Sequence, residues 1–139
     1  MNPIIRNIIA VLAGMLIGSV INMALVEMGN VLVPVEGGDV STMEDLKRIM
    51  PSFTYKNFIF PFLAHALGTL SGAFIAALIA ATHKTKFAFA IGGLFLLGGI
   101  TVNLILPGPI WFEALDLLLA YIPMAFIGGK IALNYSKKS

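Results

Sequence analysis

Five polar side chains, Asn22, His65, Asn103, Glu113 and Asp116, stand inside otherwise apolar stretches of the chain. Histidine and carboxylates carry protons and ligate cations, while asparagine amides supply both donors and acceptors around such a centre. Glu113 and Asp116 are three residues apart, which places them on one helical face that Ala120 continues. His65 stands three residues before Gly68 and seven before Gly72, on the small-residue side of its segment. An ionised group at membrane depth costs several kcal/mol unless it is paired, hydrated or neutralised, so these residues need partners.

The elements that must hold them are apolar. Segments 4–26, 58–82, 87–106 and 110–133 are each long enough to cross a bilayer at about 1.5 Å per residue, and in lipid they must be helices. With 58% hydrophobic and 12% charged residues, the chain falls among integral membrane proteins. The expected fold is all-α: one domain, 1–139, forming a membrane four-helix bundle with antiparallel sequence neighbours. The first apolar segment is longer than a signal-peptide core and lacks a cleavage pattern, so it reads as a retained span. The bilayer is thus the first partner. The few basic residues form no clustered face for nucleic acid, and the absence of cysteine excludes disulfides, thiol catalysis and thiolate metal sites.

Small residues line each span. Gly14 and Gly18 lead to Asn22; Ala64, Gly68, Gly72, Ala76 and Ala80 run beside His65; Gly92 and Gly99 lead to Asn103. Such seams let helices approach closely, so both asparagines should point inward. Counting from the loop-side boundary puts His65 about 10 Å deep, Asp116 about 9 Å, Asn22 about 6 Å, and Glu113 and Asn103 about 5 Å. Similar depths predict one polar pocket: a His65 and Asp116 pair, amides from Asn22 and Asn103, and Glu113 at the entrance. If a metal is held, His65, Asp116 and Glu113 are its candidate ligands. The plainer readings are a packed His65, a Glu113 that serves the first turn of its helix, and asparagines that hydrogen-bond between helices. Ser71, Thr69 and Tyr121 are the hydroxyls near enough to act as nucleophiles.

The connection 27–57 is long, and the other two are short. Arg6, Lys84, Lys86, Lys130, Lys137 and Lys138 lie on one side, and Lys47, Arg48 and Lys56 on the other, which predicts cytoplasmic termini and an extracytoplasmic 27–57 loop. Within that loop Gly37-Gly38 reads as a turn, and Ser41-Thr42-Met43-Glu44 has capping-box spacing ahead of a short amphipathic helix that Pro51 ends. Tyr55, Phe58, Phe60 and Trp111 fall at the interface. Pro123 should kink the last span by freeing the carbonyl of Leu119.

These features predict a small multi-pass membrane protein whose pocket binds or conducts a cation, a proton or a small polar ligand. Four short helices rarely enclose a complete pathway, so a homo-oligomer or a larger membrane complex is expected. An accessory or assembly subunit is the alternative reading. An intramembrane enzyme ranks third, because H-E-x-x-H, G-x-S-x-G and phosphate-binding glycine loops are all lacking.

Overall fold

A computed structural model describes residues 1–36, 38 and 40–138. Among them every regular element is helical: α1 (Pro3–Leu32), α2 (Met43–Ile49), α3 (Ile59–Ile79), α4 (Lys84–Ile105), α5 (Ile110–Leu119) and α6 (Ile122–Lys138). Single 3₁₀ turns at Met50–Ser52 and Tyr55–Phe58 join α2 to α3. Four stretches are long and apolar enough to cross a membrane, namely α1, Tyr55–Ile79, α4 and Ile110–Lys138. The protein is an all-α, multi-pass integral membrane protein.

Helix α3 is central and packs against α1, α4 and α6. Its side chains explain why. Ala64, Ala66, Gly68, Thr69, Gly72, Ala73, Ala76 and Ala77 are all buried, so small residues cover most of its circumference and three neighbours can approach it. By contrast α1 is apolar all round and buries only Ala10, Gly14, Gly18 and Gly29, leaving Ile5, Leu12, Leu16 and Val20 facing outward. In a membrane those are lipid-facing positions.

The α1 and α3 seams meet each other. A Cβ at Gly14 would lie 2.6 Å from the carbonyl oxygen of Gly72, and one at Gly18 would lie 2.7 Å from that of Gly68. The relation is reciprocal, at 2.7 Å and 2.8 Å, so the two backbones touch along an antiparallel crossing. Far from this contact, Asn7 Oδ1 accepts from the Ala81 N–H at 2.8 Å and Asn7 Nδ2 donates to Thr82 Oγ1 at 2.9 Å. Arg6 Nε donates to Ile79 O at 2.6 Å, and Lys84 Nζ to the carbonyls of Ala77 and Leu78, both at 3.1 Å. Two cations and an amide therefore close the carbonyl end of α3, where the helix dipole favours positive charge. His83 takes φ 47° in the short turn that follows.

Several boundaries differ from the sequence expectation. The first helix runs to Leu32 rather than 26 because neither Glu27 nor Asn30 breaks a helix; it stops before Pro34, which disfavours helical backbone in the preceding residue. The capping hydroxyl of α2 is that of Thr42, not Ser41: Thr42 Oγ1 accepts from Asp45 N–H at 3.1 Å and donates to Asp45 Oδ2 at 2.6 Å. The carboxylate that meets the cap is thus that of Asp45 rather than Glu44, and it bonds the Thr42 hydroxyl instead of a backbone N–H. The Gly37-Gly38 turn includes Gly37, which lies outside the described residues.

The largest departure is in the last span. Instead of one kinked helix over 110–133, α5 ends at Leu119, Ala120 and Tyr121 form a turn, and α6 begins at Ile122 and continues to Lys138. Pro123 has no N–H for the carbonyl of Leu119, and its ring crowds that turn, so the helix breaks instead of bending. Ala120 and Tyr121 are 0% and 1% exposed, which keeps the irregular backbone inside protein, as membrane depth requires.

Candidate functional site

His65, Asp116 and Tyr121 form one hydrogen-bonded group. His65 Nδ1 lies 2.8 Å from Asp116 Oδ1 and 3.0 Å from Oδ2. Tyr121 donates its hydroxyl to Asp116 Oδ2 at 3.0 Å, and its ring stacks on the imidazole with centroids 5.8 Å apart and planes 26° from parallel. Asp116 is 1% exposed, whereas the His65 side chain is 27% exposed. The carboxyl group is sealed and the imidazole reaches the edge of the bundle.

Each member owes its position to a local feature of the chain. His65 projects from α3 on the small-residue side. Asp116 lies in the last turn of α5, where the dipole does not favour a carboxylate, so its donors come from neighbouring side chains. Tyr121 is placed by the break: five residues after Asp116 in an unbroken helix, it would point about 140° away. Gly99 on α4 clears the space for it, because a Cβ there would collide with the Tyr121 hydroxyl. The sequence offers Tyr121 only as a candidate hydroxyl nucleophile, and its contact with Asp116 is not among the expectations. The signal that could have found it was Pro123, two residues further on.

The remaining sequence candidates lie apart from this hydrogen-bonded group. Glu113 Oε1 accepts from the Gly108 N–H at 2.8 Å and so closes the turn before α5, the plainer of its two readings. The Asn22 Cβ lies beside Gly68, 3.1 Å from where a Cβ on that glycine would be. Asn22 Oδ1 and Asn103 Nδ2 are buried without a hydrogen-bond partner, so neither amide bonds to the other polar side chains through those atoms. Thr69 Oγ1, one turn along α3 from His65, is likewise buried and unpartnered. Among the described residues no three His, Cys, Asp or Glu side chains converge as metal ligands, so His65, Asp116 and Glu113 do not make the three-ligand set. Of the six seam glycines, Gly92 faces Ala125 on α6, Gly99 faces Tyr121, and Gly14, Gly18, Gly68 and Gly72 form the α1 and α3 crossing.

Chemically, an Asp-oriented histidine is a proton-handling arrangement. When Nδ1–H donates to the carboxylate, the lone pair is left on Nε2, which has no hydrogen-bond partner among the described residues. Among the described residues no hydrogen bond joins the imidazole to the hydroxyl of Thr69, Ser71 or Tyr121. Comparisons with family models, curated proteins and solved structures find no match for this chain.

Proposed function

We propose that this membrane protein takes up and releases a proton at His65, in the service of binding or moving a small polar solute or cation across the bilayer. The observation that carries the reading is the 2.8 Å contact between His65 Nδ1 and a carboxyl group that is 1% exposed. A buried acid facing a histidine at membrane depth is a rare and expensive arrangement unless it is used. In this reading Asp116 fixes the ring so that Nε2 faces outward, and supplies the counter-charge when the imidazolium forms. Tyr121 holds the carboxyl rotamer and keeps Oδ2 occupied while the proton comes and goes. Glu113 has no part in the exchange.

The loop side is assigned to the exterior, on the strength of six basic residues flanking the terminal side against three in the loop. Nε2 lies at the rim of one bundle, so the working unit is assigned to a homo-oligomer or a larger membrane complex that covers it.

The test is a reconstitution. Purified protein in vesicles holding an imposed pH gradient should dissipate it faster than protein-free vesicles, and His65→Asn should slow this by about a hundredfold or more, the usual size of a lost acid–base group. Circular dichroism and gel filtration must first show that the variant keeps its fold. A parent protein that leaves the gradient unchanged, or a folded variant as fast as the parent, would refute the reading.

A further inference from the structure

Two cavities adjoin at the loop end of the bundle, and Phe58 lines both. The first, about 570 Å³, lies between the loop residues Lys47, Met50 and Phe53 and the turn at residues 105–109. The second, about 190 Å³, is a groove between α3 and α5, walled by Ile59, Phe62, Trp111 and Leu115 among others, all aliphatic or aromatic. The first is thus lined by residues of the loop and the 105–109 turn, and the second by residues of two membrane-spanning stretches.

The donors in the upper chamber are nearly all committed. The N–H groups of Phe53, Leu106 and Gly108 donate to Met50 O, Val102 O and Glu113 Oε1, and Pro51, Pro107 and Pro109 have none to give. Lys47 is left. Its ammonium makes no hydrogen bond or ion pair among the described residues, whereas its neighbour Arg48 is paired with Asp45 at 3.2 Å. The site thus offers one cation above an apolar slot. That is the complement of a molecule with an anionic head and a hydrocarbon tail, lying at the depth where lipids keep theirs.

We infer that these two cavities form one binding site for an anionic phospholipid of the loop-side leaflet, with its phosphate against Lys47 and an acyl chain in the groove between α3 and α5. The inference stands apart from the His65 reading: neither His65 nor Asp116 lines either cavity.

Trp111 is the single tryptophan of the chain and lines the groove, so it serves as an intrinsic probe. The full chain is placed in phosphatidylcholine bilayers carrying a small fraction of lipid brominated on its acyl chains, either phosphatidylglycerol or phosphatidylcholine. Brominated phosphatidylglycerol should quench Trp111 with an apparent affinity about fivefold higher, the size expected for one lysine meeting an anionic lipid. Lys47→Ala should bring the ratio to about one, while Lys47→Arg and Lys56→Ala should leave it high. Equal quenching by the two lipids in the parent overturns the proposal, as does a ratio that survives Lys47→Ala. Equal loss in Lys56→Ala would reduce the effect to general surface charge, and competition by soluble glycerophosphate would make it a free-anion site; either result also overturns it.

Discussion

Gly99 of α4 sits directly against the hydroxyl of Tyr121, the group that donates to Asp116 at 3.0 Å. Absence of a side chain on α4 is thus what lets a ring in the turn after α5 reach back to a carboxyl group on α5. Gly99→Ala should displace the ring and cost about 1–3 kcal/mol. Tyr121→Phe should cost about 1 kcal/mol by itself, through the lost hydrogen bond, but it also removes the nearest of the atoms that a Cβ at Gly99 would strike, leaving Cζ at 2.6 Å. The double variant should therefore be less destabilised than the sum of the two. Unfolding midpoints for the four proteins of the cycle decide this, and additivity within about 0.5 kcal/mol would count against the packing relation.

The glycines divide into two groups that sequence alone does not separate. Alanine at Gly14, Gly18, Gly68 or Gly72 would push a Cβ to within 2.6–2.8 Å of a facing carbonyl oxygen, which cannot swing aside as a side-chain tip can. Each should cost about 1–3 kcal/mol. A Cβ at Gly93 or Gly98 meets nothing within 4 Å. Alanine there should be neutral or stabilise by up to about 1 kcal/mol, through better helix propensity. A set of single alanine variants compared by thermal unfolding in one detergent is sufficient, and a costly Gly93→Ala would contradict the assignment.

Removing the buried acid should be the harshest change at the polar group. Asp116→Ala leaves both the Tyr121 hydroxyl and His65 Nδ1 without their acceptor, for an expected loss of about 3 kcal/mol or more. Asp116→Asn keeps an acceptor and a similar volume, so it should cost clearly less. The comparison is made on equilibrium unfolding curves; equal costs for the two substitutions would mean that packing, not hydrogen bonding, makes Asp116 important.

At the opposite end, Asn7 ties the start of α1 to the end of α3. Asn7→Ala frees the Ala81 N–H and the Thr82 hydroxyl, and should cost about 1 kcal/mol. Hydrogen exchange should rise in residues 79–83 while the α1 and α3 crossing at Gly14 and Gly72 stays protected. Uniform exchange across both helices would show that the two ends open together.

Hydrophobic length and composition were enough to determine that the chain crosses a membrane with four apolar segments, because lipid leaves the backbone no alternative to a helix. Small residues at three- and four-residue spacing were enough to mark a seam on each span, but that α3 is the helix on which α1, α4 and α6 converge is decided by the tertiary structure. The meeting of His65 and Asp116 was foreseeable from their similar depth on the second and fourth spans, which run in the same direction and enter from the same side. What the sequence could not decide was the direction taken by each polar side chain once a helix is interrupted. Tyr121 reaches Asp116 only because Pro123 breaks the last span and Gly99 stands empty opposite, and Glu113 turns away to the Gly108 N–H although it shares a helical face with Asp116. Periodicity describes a continuous helix. The position of a break, and which side chain on a third element yields to it, is settled by packing among residues far apart in the chain.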